Sequence, residues 1–195
     1  MAGDIVAPLC HKALYKINLN DKLLVTQEEL FEGSGVIKNQ KENTEYSIEK
    51  LIELCLVESD NTAYIKLVKY VGKENIINFG EKLGALHTLE GKDSYGIVNC
   101  LDMIIYWKEL KKYIENSENG TKIKKYLLNS SVKYIKNDIY VRKYGEFDIA
   151  YHEVGYVDSN KPYYMIVLTQ LNKFDYKEEY INKIAKLIEE INREN

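Results

Sequence analysis

The sequence predicts an α+β fold: a block of helices, then an antiparallel sheet, then a closing helix. Three observations predict it. Before Asn137, apolar residues recur mainly at the i, i+3, i+4 spacing of helices. After Asn137 the period shortens to that of strands, in three runs joined by short links. From Tyr176 the helical period returns. The 195 residues, 45% of them apolar, suffice for a sizeable core, and the chain reads as a single domain over 1–195. Its helical part covers about 20–137, and its sheet part about 138–195 together with a first helix at 4–19.

In chain order, Val6 to Asn20 reads as a helix with Val6, Leu9, Cys10, Ala13, Leu14 and Ile17 on one face, and Pro8 fits in its first turn. Leu23 to Val36 is short and turn-like, ending in Gly33-Ser34-Gly35. Ser47 is an N-cap, followed by Ile48, Leu51, Ile52, Cys55 and Leu56 on one face. Ser59-Asp60-Asn61 interrupts that pattern. Helices follow over Thr62–Val71 and Glu74–Leu83, the second stopping at Gly84, then over Leu101–Ile114 and Thr121–Leu128. The strand-like runs are Ile139–Phe147, Ala150–Val157 and Tyr163–Gln170. Their links are Asp148-Ile149 and residues 158–162, short enough to make a meander of antiparallel neighbours. The third run is apolar throughout and is expected to be covered on both faces. The last helix, Tyr176–Ile191, carries Tyr180, Ile181, Ile184, Leu187, Ile188 and Ile191 as its apolar stripe.

Composition removes several classes of function. A net charge of −3 argues against a nucleic-acid binder. No apolar run is long enough to span a membrane. The opening MAGDIVAPLC has neither the basic nor the apolar region of a signal peptide. Lys, Ile, Asn and Tyr share A/T-rich codons, so the 17 tyrosines read as genome composition rather than an aromatic binding surface. Cys10, Cys55 and Cys100 are an odd number without CxxC spacing, which signals neither a disulfide framework nor a zinc site. Cys10 and Cys55 read as buried free thiols. His11, His87 and His152 are isolated and read as structural or surface residues. No metal or cofactor is expected.

Two short strings carry chemistry. Ser59-Asp60-Asn61 lies between two helices, inside VESDNTA and after EGSGVI (Glu32–Ile37). Lys143-Tyr144-Gly145 lies on the first strand of the meander, ahead of VGYV and KPYYMIVLT. On these residues the chain resembles the class A β-lactamase and penicillin-recognising serine hydrolase family, from about Ala2 to the C-terminal helix and most specifically over 32–84 and 141–169. That family is defined by S-x-x-K, S-D-N and K-T-G elements in this order. The resemblance implies a helical subdomain inserted into an α+β one, with the active site in the cleft between them. It also implies a serine nucleophile attacking an amide carbonyl, with a lysine nearby on its own helix. By resemblance Ser59 would relay a proton to the departing nitrogen and Asn61 would orient the substrate amide. Lys143 would add positive charge beside that relay, with Tyr144 and Gly145 along the substrate-aligning strand edge.

The departures concern the nucleophile first. Alignment back from EGSGVI places S-x-x-K on Gly3-Asp4-Ile5-Val6, and neither Gly3 nor Val6 can perform the required step. A frame that reaches Lys12 puts Leu9 in the nucleophile position. Two other S-x-x-K strings, Ser47–Lys50 and Ser130–Lys133, fall at the wrong places in the order. Tyr144 puts a bulky phenol where the family has Thr or Ser. The E-x-x-L-N element is missing between Thr88 and Asp102, where Glu90 and Asp93 read as solvated loop carboxylates. Read without the resemblance, Ser59–Asn61 is a helix-linking turn with side chains bonded to nearby amides, and Lys143 is a strand residue on a solvated face.

The expected function is thus a β-lactamase-like serine hydrolase homologue that is non-catalytic, keeping a cleft for peptidoglycan-like peptides, β-lactams or a protein partner. The alternatives are an active hydrolase transferring β-lactam or D-alanyl acyl groups through another serine such as Ser59, or a fragment of such an enzyme. The chain is expected in the cytoplasm if complete and outside it if a leader has been removed. The family normally adds a helix and two strands before the nucleophile helix, and those strands pair beside the last strand of the meander. Without them Tyr163–Gln170 has an open edge, expected to be covered by a partner chain, the N-terminal residues or a homodimer contact.

Overall fold

In a computed structural model the structure describes residues 18–87, 99–171 and 177–194. The sequence-predicted first helix falls outside these residues except for its last three positions. Those three correct the expectation, since Asn18 is not helical and Leu19 and Asn20 form a turn. Cys10, His11, Glu90 and Asp93 also lie outside.

The segment read as turn-like contains a strand. β1 (Lys22–Val25) pairs antiparallel with β2 (Thr44–Ser47), Lys22 opposite Ser47 and Val25 opposite Thr44. Between them run two 3-10 turns, Gln27–Glu29 and Ile37–Asn39. Ser47 ends β2 and caps α1 (Ile48–Val57), its Oγ accepting from Lys50 N at 3.1 Å. α2 (Asn61–Val71) and α3 (Lys73–Leu83) follow, with Gly84 in the left-handed region ending α3. Asn99 caps α4 (Cys100–Asn116), accepting from Asp102 N at 2.9 Å. Ser117 caps α5 (Glu118–Leu128). Each cap satisfies an amide that the first helical turn leaves without a partner.

The meander is as the periodicity predicts. β3 (Tyr140–Phe147), β4 (Ala150–Val157) and β5 (Tyr163–Gln170) form a three-stranded antiparallel sheet in sequential order. Lys143 stands opposite Val154, and Val154 opposite Ile166. The closing helix α6 spans Lys177–Glu194. The described residues thus form six helices, a three-stranded sheet and a small two-stranded one.

Alternation across the pleat divides the sheet's side chains between two cores. One joins Val141, Val154 and Tyr156 to the helical block, where the fully buried Trp107 of α4 meets Tyr156 edge-on at 6.3 Å. The other joins Tyr140, Tyr144, Tyr151, Met165 and Val167 to Ile181 and Ala185 of α6. β3, at one edge of the sheet, therefore carries Lys143 toward the helical block and its neighbours toward α6.

Candidate functional site

The site is built at the junction of α1 and α2. The amide of Asp60 bonds back to Leu54 O at 3.2 Å, which closes the end of α1 and forces Ser59 into the left-handed region at φ +51°. Helices usually place glycine there, because a Cβ costs about 1 kcal/mol in that conformation. Asp60 then begins α2. Its Oδ1 accepts from Ala63 N at 2.9 Å, and its Oδ2 accepts from Val36 N at 2.6 Å and Ile37 N at 2.8 Å. One buried carboxylate thereby caps a helix and holds the loop that follows Gly35. Gly35 has φ +105°, and a Cβ on it would overlap the Asp60 carboxylate.

Asn61 is tied to the same loop. Its amide donates to Ser34 O at 3.1 Å and its Nδ2 to Glu32 O at 3.0 Å. The Gly33-Ser34-Gly35 turn is thus laid against Ser59-Asp60-Asn61 by backbone contacts that only glycines on either side of Ser34 permit.

Lys143 reaches this junction from β3. It is fully buried; its Nζ donates to Ser59 Oγ and, at 2.8 Å, to Tyr144 O. Burial pulls its pKa from 10.5 down to about 8. The thiol of Cys55, in α1, is pushed up to about 12 by the same burial. Tyr144 belongs by alternation to the opposite face and packs there edge-on against Tyr134 at 6.1 Å, yet Lys143 Nζ lies 4.1 Å from its ring centroid. Its phenol meets the hydroxyls of Ser59 and Ser34. Burial raises the Tyr144 pKa and those two hydrogen bonds lower it, burial being the stronger effect. Only 7% of Ser59 and 6% of Tyr144 is exposed.

The structure therefore brings Ser59, Lys143 and Tyr144 into one cluster. Asn61 sits at its rim, and Gly145 one position further along β3, opposite His152. Gly3 and Val6 lie outside the described residues. Ser34 was not singled out from the sequence as a site residue, although the glycines flanking it signalled a close backbone approach. The other S-x-x-K serines are engaged elsewhere: Ser130 Oγ donates to Val132 O at 3.0 Å, and Ser47 Oγ accepts from Lys50 N at 3.1 Å. His152 accepts from Thr169 N through Nδ1 at 3.0 Å, and burial pulls its pKa from 6.5 to about 4. It is neutral at pH 7.

Behind the cluster, Glu153 is fully buried and accepts from the amides of Tyr134 and Ile135, at 2.6 and 3.0 Å, and from Arg142 at 3.2 Å. Burial raises its pKa against the pull of those donors. Every lone pair it uses is spent on the sheet and the 134–135 segment, so this ion pair is structural. Among the described residues no three His, Cys, Asp or Glu side chains converge to hold a metal ion, and no helix is long and apolar enough to cross a membrane. Chemically, the cluster offers a buried cation, a serine hydroxyl and a phenol within one hydrogen-bonded group.

The sequence profile of the β-lactamase enzyme family matches residues 8–191. Comparison with curated proteins finds no match. Among solved structures, a β-lactamase from Sphaerobacter thermophilus DSM 20745 superposes with a TM-score of 0.82 at 18% identity, covering 95% of this chain and 79% of that one. PBP-A superposes with a TM-score of 0.84 at 14% identity, covering 100% and 80%. A variant of PBP-A, solved as an acyl-enzyme complex with penicillin G, gives 0.83 at 15% identity, again covering 100% and 80%. At these identities the superpositions establish the fold.

Proposed function

The chain belongs to the β-lactamase enzyme family, and from that premise we propose that it is a non-catalytic member that binds ligands of the family's chemical class without acylation. The carrying observation is the cluster itself. Lys143 and Ser59 bond each other out of reach of solvent, and the Tyr144 phenol closes over them. The sequence adds that Gly3 and Val6 stand where the family's nucleophile and its lysine belong. A ligand of this class, a β-lactam or a peptidoglycan-like acyl-D-alanine peptide, brings a carboxylate and an amide. Lys143 supplies the positive charge for the carboxylate once Tyr144 swings aside. Asn61 and the β3 edge at Tyr144 and Gly145 supply donors and acceptors for the amide.

A second reading is favoured by one observation: Lys143, depressed to about 8, already donates to Ser59 Oγ. A lysine partly neutral near pH 8 is a competent base for a serine hydroxyl. In this reading Ser59 Oγ attacks the acyl carbon, its proton passes to Lys143 Nζ, and Lys143 returns that proton to the amide nitrogen as the carbon–nitrogen bond breaks. PBP-A in its penicillin G complex shows that an acyl-enzyme forms on this fold.

Incubation of the full chain with a fluorescent penicillin, followed by a denaturing gel and intact-mass spectrometry, separates the two. The proposal expects no adduct, together with a rise in melting temperature on adding benzylpenicillin or an acyl-D-alanyl-D-alanine peptide, lost in Asn61→Ala. An adduct mapped to Ser59 and absent from Ser59→Ala establishes the second reading. An adduct elsewhere overturns both.

A further inference from the structure

Lys143 is buried throughout its length, so its ammonium cannot trade protons with water directly. Among the described residues its Nζ has two hydrogen-bond partners, Tyr144 O at 2.8 Å and Ser59 Oγ. A carbonyl accepts but has no proton of its own to hand on, whereas a hydroxyl both accepts and donates. Neighbouring ionisable groups offer no other route. The thiol of Cys55 is buried and pushed up to about 12. Glu153 accepts from Arg142 and from the amides of Tyr134 and Ile135. Within the folded site, a proton of Lys143 leaves through Ser59.

Ser59 is itself buried, and the next hydroxyl in line is a phenol. Tyr144 bonds the hydroxyls of both Ser59 and Ser34, and its ring centroid lies 4.1 Å from Lys143 Nζ. Tyr144 is buried, but Ser34 is exposed. Ser34 is held at this place by its turn: its carbonyl accepts from Asn61 N at 3.1 Å, and Gly33 and Gly35 lie against Asn61 and Asp60 at positive φ. Lysine, serine, phenol and serine thus stand in one row that runs from β3, past the α1–α2 junction, to the 32–37 loop.

We propose that Ser59, Tyr144 and Ser34 form a proton relay between Lys143 and solvent. Lys143 Nζ gives a proton to Ser59 Oγ as Ser59 gives its own to Tyr144 Oη, Tyr144 to Ser34 Oγ, and Ser34 to water. One N–H bond breaks, each hydroxyl exchanges one proton for another, and a neutral amine and a hydronium ion result. The reverse shift recharges the amine. No phenolate accumulates, so the burial that disfavours one at Tyr144 does not oppose the relay. Lys143 thereby changes charge without the site opening, whether it serves a ligand's carboxylate as a cation or a serine as a base. The relay rests on the Ser59–Lys143 pair and not on whether the site binds or acylates a ligand.

Exchange of the Lys143 ammonium protons with water tests this, by heteronuclear NMR of the ligand-free full chain carrying isotope-labelled lysine, with Lys143→Met to assign the signal. Tyr144→Phe keeps the ring beside the ammonium and against Tyr134 but removes the carrier. It is expected to slow the exchange by about tenfold or more, and Ser34→Ala likewise. Carriers in one row act as a unit, so the double variant is expected to exchange no more slowly than the slower single one. Backbone amide exchange along β3 and α1 is expected to stay unchanged. Unchanged or faster ammonium exchange in Tyr144→Phe overturns the relay, the phenol then being a cover and not a carrier. Unchanged exchange in Ser34→Ala overturns the exit, and multiplying effects in the double variant overturn the single row. Amide exchange that slows in step with the ammonium overturns it too, because protons then reach Lys143 by opening of the fold.

Discussion

Replacing Lys143 by methionine tests the electrostatics of the cluster directly. The folded pKa is depressed from 10.5 to about 8 because burial disfavours the ammonium. Between these values the unfolded chain binds more protons than the folded one. Stability therefore rises with pH across this window; the penalty is complete below about pH 8 and gone by about pH 10.5. Its full size is about 3 kcal/mol. Methionine removes that penalty but also the hydrogen bonds to Ser59 Oγ and Tyr144 O, at about 1 kcal/mol each. The net expectation at neutral pH is a variant more stable by about 1 kcal/mol, or about 2–4 °C in melting temperature. Urea unfolding in a pH series is the assay. Between about pH 7.5 and about pH 9.5 the wild type gains about 2 kcal/mol on the variant. The buried tyrosines, whose raised pKa values make stability fall only above about pH 10, cancel in the difference. A variant less stable by more than about 2 kcal/mol, with the wild type's pH dependence intact, would refute the assignment of Lys143 as a penalised cation.

Further substitutions probe the frame. Gly35→Ala forces a Cβ into the Asp60 carboxylate at a left-handed φ, and a loss of about 2–4 kcal/mol in urea unfolding is expected. Asp60→Ala removes the cap of α2 and strands the amides of Val36 and Ile37; about 3 kcal/mol is expected to be lost. Asp148→Gly, at a two-residue turn where Asp148 has φ +51°, is expected to stabilise by about 0.5–1 kcal/mol in thermal unfolding. His152 has a folded pKa of about 4 against 6.5. The unfolded chain takes the proton first on acidification, so stability falls as pH drops from about 6.5 toward about 4. His152→Asn, which can still accept from Thr169 N, is expected to flatten that fall in acid unfolding.

What could be read from the sequence is what local periodicity and capping encode. Ser47 announced α1 because its hydroxyl caps the helix locally, and the three strands of the meander declared themselves by alternation and short turns. β1 and β2 were missed for a physical reason. Each has four residues, they are separated by nearly twenty others, and Val25 is the only fully buried side chain among them. Their pairing is a long-range fact with little local signal. The site divides the same way. Ser59, Asn61 and Lys143 were legible as motif residues, whereas the enclosure of Lys143 was not, and a solvated strand face had stood as the plain reading for it. Alternation alone sends Tyr144 away from Lys143. The approach of Lys143 Nζ to the Tyr144 ring goes with its long-range bond to Ser59, which no local pattern states.

The same separation bears on what the S-D-N string is evidence for. Asp60 is fully occupied in holding α2 to the 32–37 loop, and Asn61 binds the same loop through its amide and its Nδ2, so both would persist in this fold whatever its function. Ser59 and Lys143 are different in kind. A serine in the left-handed position costs about 1 kcal/mol that a glycine would not. A buried ammonium carries a burial penalty of about 3 kcal/mol, about 2 kcal/mol of which its two hydrogen bonds offset. Two adjacent features that weaken a fold, bonded to one another across 84 positions of sequence, support the reading proposed above. The Ser59–Lys143 pair, rather than the S-D-N string around it, is thus the feature of this fold that structure alone does not require.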